Sequence, residues 1–305
     1  MTLDVVVVSY GSGHLLEQAL HGAGALYHGD MRVVVVNNDA TDGRAAEAAG
    51  RLGAVLIEPP RNEGFAAAVN RALAATDGEF VLLLNPDVSS VRGSWEDVER
   101  LFASDARAAA VGVKLLNEDG SRQDSCRRAP TPLDFVSEAI AASRRFPNWA
   151  RALRYRMLDW GYDETRVVDA ASGAFLVIRR AALDDVGFLD ERFFVYSEEL
   201  DWLIRAKARG WRTYFTPAVV AVHAGGKSSE LPTPALSVLL AASWHAYARK
   251  HFGLLGRALL RLGLLTLDGA RLVRALALGR RGPVTRAIAA RVRVHLSLPA
   301  DPGAV

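Results

Sequence analysis

The chain has 305 residues, of which 50% are hydrophobic and 23% charged, enough apolar material for a substantial core and too much for a disordered chain. Its one cysteine excludes an internal disulfide framework and a Cys-rich zinc site, and points to a reducing, cytoplasmic setting. The net charge of +3 hides a split: residues 1–234 carry 26 Lys and Arg against 32 Asp and Glu, whereas residues 235–305 carry 11 against 2.

The chain opens on Met1-Thr2-Leu3-Asp4 with no basic stretch ahead of a short apolar run, which reads as a strand and not as a secretion signal. Arginines interrupt every long apolar tract, so no membrane-spanning helix is expected. Valine-rich runs at 5–8, 32–36, 54–57 and 80–84 have the near-continuous apolar character of buried parallel strands. Helical stretches at 14–25, 43–52 and 65–75 lie between them and suit right-handed crossovers. After a helix at 95–102, strands are expected at 109–113 and 174–178, separated by a segment, 117–170, with no clean period. A helix over 197–209 stops at Gly210 and precedes short strands at 213–215 and 219–222; residues 235–295 read as helical throughout. The expected organisation is an α/β domain over 1–234, with a nucleotide-binding half (1–115) and an acceptor-binding half (116–234), and a basic amphipathic helical tail over 235–305.

In an open parallel sheet the ligand lies beyond the carboxyl ends of the strands, and the residues there are polar after every valine run. They are Ser9-Tyr10-Gly11, Asn37-Asn38-Asp39-Ala40-Thr41-Asp42-Gly43, Arg61-Asn62-Glu63-Gly64-Phe65 and Asn85-Pro86-Asp87. Neither G-x-G-x-x-G nor a P-loop pattern is present, which argues against a dinucleotide fold and a P-loop NTPase.

Taken in order, V-V-S-Y, V-N-N-D-A-T-D-G, N-E-G-F-A-A-A-V-N, L-L-N-P-D, G-A-F-L-V-I-R-R and S-E-E-L-D-W resemble the motifs of family 2 glycosyltransferases, in particular a bacterial rhamnosyltransferase-like subgroup, over residues 3–228. The resemblance implies a GT-A fold, a Rossmann-like mixed sheet flanked by helices. It also implies a nucleotide-diphosphate sugar donor, a divalent ion (Mg²⁺ or Mn²⁺) and transfer with inversion. It assigns Asp87 as the metal carboxylate of a D-x-D motif whose first position is Asn85 here, and His223 as a further metal ligand. Asn37 stands where relatives have an Asp that accepts a hydrogen bond from a pyrimidine, so a thymidine or uridine diphosphate donor is expected. Ser9, Tyr10, Asp39, Arg61, Asn62, Gly64 and Asn85 complete the implied donor site.

Glu198-Glu199-Leu200-Asp201 matches the family's E-D-x-D site, with Glu199 as base and Glu198, Asp201 and Trp202 beside the acceptor. Inverting transfer needs one carboxylate to take the acceptor hydroxyl's proton, and close carboxylates raise one pKa by repulsion. An acidic helix start favoured by the helix dipole is the structural alternative.

The segment 117–170 holds Arg122, Arg127, Arg128, Arg144, Arg145, Arg151, Arg154 and Arg156 with Phe146, Trp149, Tyr155 and Trp160, which read either as an acceptor pocket or as an amphipathic helix packed on the domain. The tail spaces Arg257, Arg261, Asp268, Arg271 and Arg274 among leucines. It reads either as packing or homo-oligomer surface or as an interfacial helix on anionic lipid at the inner face of the membrane; nucleic acid is not an expected partner. The expected activity is transfer of a sugar, with rhamnose first, to a cell-envelope glycan or lipid-linked saccharide. The alternative is a catalytically weak nucleotide-sugar or polyanion-binding protein.

Overall fold

Both faces of the valine-rich strands are covered, which is why their sequences show no polar alternation. The computed structural model describes residues 2–141, 154–225 and 233–297. Among these, β1 (Thr2–Ser9), β2 (Asp30–Asn37), β3 (Val55–Ile57) and β4 (Phe80–Leu84) form a parallel half-sheet in the order β3-β2-β1-β4. Alternation along the strands then divides their apolar residues between two cores. Val5, Val7 and Leu82 join the core of α1 (Leu16–Leu26) and α2 (Gly43–Arg51), while Val6, Val8 and Leu83 join that of α3 (Phe65–Ala74).

Beyond β4 the sheet becomes mixed and reaches nine strands among the described residues. Helix α4 (Trp95–Ser104) leads from β5 (Val88–Arg92) to β6 (Ala108–Leu116). After β7 (Cys126–Arg127), α5 (Pro132–Ala139), β8 (Arg166–Val168) and β9 (Ala170–Ala171) comes β10 (Phe175–Arg179), antiparallel to both β4 and β6. Helices α6 (Arg180–Val186) and α7 (Glu198–Ala208) precede β11 (Arg212–His223), which runs parallel to β6 and antiparallel to the edge strand β5. The two short strands expected at 213–215 and 219–222 are thus one strand. Its register slips between Thr216 and Val220, where Pro217 has no N–H to give the ladder.

The division at 115/116 is not a division in space, because β10 and β11 insert beside β4 and β6. The boundary at 234/235 also disappears in the packing. The tail comprises α8 (Thr233–His251), α9 (Leu254–Ala277) and α10 (Pro283–Leu296), interrupted at Gly253 and at the glycine-bounded turn 279–282. In α8, Ala246, Tyr247 and Ala248 belong to the domain core, and Trp244 stacks on Phe135 with ring centroids 5.4 Å apart. Charge drew that boundary in the sequence, but the helix's apolar residues decide where it packs.

In the segment 117–170, Arg144, Arg145, Phe146, Trp149 and Arg151 lie outside the described residues. Several of the others have structural partners. Arg156 pairs with Glu138, Arg122 covers the Tyr162 ring at 4.7 Å, and Trp160 stacks on Tyr162.

Asp201 and Trp202 depart from the expected acceptor-side placement. Trp202 is fully buried and donates its indole N–H to the Gly187 carbonyl at 2.7 Å. Asp201 is fully buried and accepts from Arg205 (2.8 Å), Lys250 (2.9 Å) and His251 (2.7 Å), fastening α7 to α8. Asp201, two positions beyond Glu199, lies on the opposite side of the helix from it, and the Trp202 ring is buried in the core beneath Gly187. Burial pushes the Asp201 carboxyl up, but hydrogen bonds from His251, Lys250 and Arg205 outweigh it and hold the pKa below the ordinary value. Asp201→Ala leaves Arg205 and Lys250 facing a void and should destabilise the fold by about 3–5 kcal/mol, read by urea unfolding near neutral pH. A loss under about 1 kcal/mol would show that the cluster is not a fastening.

Candidate active site

A cavity of about 340 Å³ opens beyond the carboxyl ends of β1 and β4. Tyr10, Asn38, Asn62, Gly64 and Asn85 line it on one side, and Gly173, Tyr196, Glu198, Glu199 and His223 on the other. A second cavity, about 250 Å³, is lined by Ser125, Arg127, Tyr155, Tyr196, Glu199, Leu240 and Trp244. Glu199 and Tyr196 stand in the wall common to both.

The remaining expected donor residues are near but not all in the cavity. Ser9 is buried and bonds the Ser12 hydroxyl at 3.1 Å. Asn37 donates to Glu58 Oε1 (3.0 Å) and accepts from the Asp39 N–H (3.3 Å), so it braces the loop after β2. Asp39 lines a separate shallow cleft with Gly11, Thr41 and Asp42. Arg61 is exposed and lines neither cavity. Asn38, which the motif reading passed over, reaches the first cavity and ties two loops together. It donates to Asn62 Oδ1 (2.8 Å) and the Gly64 carbonyl (3.1 Å) and accepts from the Glu63 N–H.

Asp87 and His223 meet although 136 positions separate them in the chain, because β11 pairs with β5 immediately after the Asp87 turn. His223 Nε2 lies 3.2 Å from Asp87 Oδ1 and 3.4 Å from Asn85 Nδ2. Gln123 fixes the ring. Its Nε2 donates to the His223 carbonyl (2.7 Å) and to Asn117 Oδ1 (2.8 Å), so its Oε1, 3.0 Å from His223 Nδ1, must accept. Nδ1 therefore carries a proton, and the Nε2 edge faces a carboxylate whose two buried oxygens have no hydrogen-bond donor. His223 Nε2 and the Asp87 carboxylate face one another at 3.2 Å, a pairing that a proton on Nε2 would close and that a metal ion between them would also join. No group of three or more His, Cys, Asp or Glu side chains converges among the described residues, so an ion here would take two protein ligands and fill its shell with diphosphate and water oxygens. The donor set fits Mg²⁺ or Mn²⁺ on those terms.

Glu198 and Glu199 begin α7 directly after Tyr196 and Ser197, both at φ 70°, a region that non-glycine residues rarely occupy. Three contacts hold this turn. Phe65 N–H donates to the Phe194 carbonyl (2.6 Å), Ser243 Oγ donates to the Val195 carbonyl (2.8 Å), and Asp201 N–H donates to the Ser197 carbonyl (2.8 Å). Gly64 must be glycine: its φ is +87°, and a Cβ there would sit 2.4 Å from the Phe194 carbonyl oxygen.

The two glutamates repel each other in a dry wall. Burial, then the neighbouring Glu199 charge, pushes the Glu198 carboxyl well above its ordinary value. Burial also raises Glu199, partly offset by backbone N–H groups at the helix start and at Gly173 and by the Arg127 charge. One oxygen of each carboxylate, Oε2, has no hydrogen-bond partner. A carboxylate held basic, partly unsatisfied and facing two cavities can accept a proton from a group entering either one. Of the segment expected beside the acceptor, Arg127 and Tyr155 line the second cavity. Trp244 and Leu240 line it too, a reach of the tail that no motif marks.

A parallel half-sheet joined to a mixed second half, with a carboxylate wall between two cavities, is the architecture of the GT-A glycosyltransferase fold. Residues 2–252 match the family described as Glycosyltransferase like family 2, and the chain belongs to that family. It is 31% identical over 235 residues to the N-acetylglucosaminyl-diphospho-decaprenol L-rhamnosyltransferase of Mycobacterium tuberculosis, covering 72% of this chain and 75% of that protein. It is 25% identical over 148 residues to the rhamnosyltransferase WbbL of Escherichia coli, covering 48% of this chain and 53% of that one. Among solved structures, the Pyrobaculum calidifontis mannosyltransferase PcManGT, in complex with GDP-Man and Mn²⁺, aligns at a TM-score of 0.55 and 20% identity over 96% of this chain and 86% of its own.

Gln123→Leu removes the acceptor that fixes the His223 ring and should weaken Mn²⁺ binding by about 10–100-fold in a calorimetric titration while the fold persists. An unchanged titration would separate Gln123 from ion binding. The glutamate pair predicts a pH-dependent stability. A carboxyl whose folded pKa is raised contributes stability below its ordinary value of 4.5 and loses it as pH rises through the raised value. Glu198→Gln, neutral at every pH, should therefore gain stability relative to the parent as pH rises from about 4 to about 8 in urea unfolding. A difference constant across that range would mean that the pair is not desolvated.

Proposed function

We propose that the protein is an inverting, metal-dependent glycosyltransferase that moves a sugar, rhamnose, from a thymidine or uridine diphosphate donor to a lipid-linked cell-envelope saccharide, working at a membrane surface without crossing it. The observation that carries this reading is the position of Glu199 in the wall between two cavities. The M. tuberculosis relative, named for rhamnosyl transfer to a diphospho-decaprenol-linked sugar, supports both the sugar and the acceptor class.

The donor lies in the first cavity. Its pyrimidine lies toward the loops after β1 and β2, where Tyr10, Asn37 and Asp39 stand, and its diphosphate toward Asn85 and Asp87. Asp87 and His223 would hold Mg²⁺ or Mn²⁺, an ion that offsets charge on the departing diphosphate. The acceptor enters the second cavity, whose aromatic faces at Tyr155 and Trp244 suit sugar rings and whose Arg127 suits an acceptor phosphate. Its hydroxyl oxygen attacks the anomeric carbon from the face opposite the diphosphate. The new C–O bond forms as the bond to the diphosphate oxygen breaks, and the hydroxyl proton passes to Glu199. Burial keeps that carboxylate more basic than an ordinary glutamate, which strengthens it as a base near neutral pH.

The test is transfer from dTDP-rhamnose to a polyprenyl-diphosphate-linked sugar with Mn²⁺ present. Glu199→Gln should lower kcat by about 10²–10⁴-fold with donor affinity changed by no more than a few-fold. In the parent, kcat should rise with pH along a limb centred above the ordinary glutamate value of 4.5, since the base works only when deprotonated. Full transfer by Glu199→Gln would overturn the assignment, and transfer of a different sugar would overturn the donor.

A further inference from the structure

Helix α9 turns its apolar side outward. Leu255, Leu259, Leu262, Val273 and Leu276 are all exposed, Leu262 at 64% and Val273 at 68%. They follow steps of three and four residues, with Thr266 and Ala270 filling the row, so an uncharged stripe runs along the helix. Arg261 and Arg271 point the other way. Arg261 donates to the His295 carbonyl (2.7 Å), and Arg271 donates to Asp268 (2.9 Å) and the Ala139 carbonyl (2.6 Å). A helix on a water-facing surface has the reverse pattern.

Charge at this surface has one sign. Asp268 is the only acid in residues 233–297, and it is buried under Arg271, Arg291 and His295. At the C-terminal end of the stripe, Arg274, Arg280 and Arg281 stand with Leu278 and Val284 around a cleft of about 690 Å³. No hydrogen bond or ion pair holds these three guanidinium groups among the described residues. A second copy of the chain would bring the same unbalanced cations against them, whereas an anionic surface neutralises them. No described helix is long and apolar enough to cross a bilayer.

We propose that α9 lies in the interfacial layer of an anionic phospholipid bilayer, its leucine stripe among the acyl chains and the Arg274, Arg280 and Arg281 cleft on lipid phosphates. The inference deepens the lipid-linked acceptor reading and takes its purpose from it: α8, joined to α9 by two residues, carries Leu240 and Trp244 into the second cavity. Docking of α9 would keep that cavity close to the surface from which a lipid-linked saccharide arrives.

The experiment is co-sedimentation of the full chain with phosphatidylcholine vesicles with and without phosphatidylglycerol, in low and in physiological salt. The protein should pellet with phosphatidylglycerol vesicles and less so as salt rises. Leu259→Ser combined with Leu262→Ser should lower the partition coefficient by roughly tenfold for each side chain. Arg280→Gln combined with Arg281→Gln, in an exposed turn, should lower it by about fivefold for each arginine. Unchanged circular dichroism, and unchanged transfer to a water-soluble acceptor analogue, would show that the variants keep the fold and the site. A parent that stays in the supernatant, or variants that partition like the parent, would overturn the proposal. So would leucine variants that convert a dimer to a monomer in light scattering with vesicle binding intact, which would give the stripe to a second copy. No donor or acceptor is present in the sedimentation, so its failure is distinct from a failure of the transfer assay.

Discussion

Everything at the site depends on the chain being held at Tyr196 and Ser197 in a conformation it would not adopt alone. Two successive non-glycine residues at φ 70° cost on the order of 1–3 kcal/mol each, and the surroundings must supply the constraint. They do so from two places distant in sequence, Gly64 and Phe65 at the head of α3 and Ser243 in α8, and from Asp201 in the first turn of α7 itself. The result is an abrupt turn that delivers two acids into a wall instead of letting them splay into water. A gentler entry into α7 would satisfy the backbone better and place the carboxylates worse.

That turn also explains how one helix start holds acids of opposite character. Burial pushes both Glu198 and Glu199 toward the neutral form, and the Glu199 charge adds to it at Glu198. Asp201, a partial turn further on, meets Arg205, Lys250 and His251 and stays ionised. Three carboxylates within four residues look alike in a sequence. Direction around a helix, and what lies in that direction, separates a chemical group from a structural one.

The strand half of the fold was legible because burial on both faces leaves a direct mark, runs of valine, and because polar residues collect where such strands end. Motif order singles out Asp87, His223 and Glu199; Glu199 and His223 line the first cavity, and Asp87 adjoins His223. Other features left no local mark. The edge contact of β11 with β5 that unites Asp87 and His223 depends on a pairing between distant strands, and Gln123 sits in a stretch without period. Trp202 and Asp201 were drawn to the site by proximity in sequence, although a helix sends neighbouring positions in different directions. The tail misled most: its charge suggested an appendage, whereas Trp244, Tyr247 and Ser243 make α8 part of the domain. Net charge describes a surface, and packing is decided by the apolar residues beneath it.

The place of β11 in the sheet bears on how the protein is made. Strand β5 finds its strand partner among the described residues only in β11, which begins 120 positions after β5 ends. At a synthesis rate of roughly 5–20 residues per second, the turn carrying Asp87 waits on the order of ten seconds for the strand that braces it. A parallel half-sheet formed before β10 emerges would have its β4 edge open, the kind of edge that pairs with other chains. High contact order of this kind makes folding slow for the size of the domain, and the interval before closure is when the chain depends on protection by the cell.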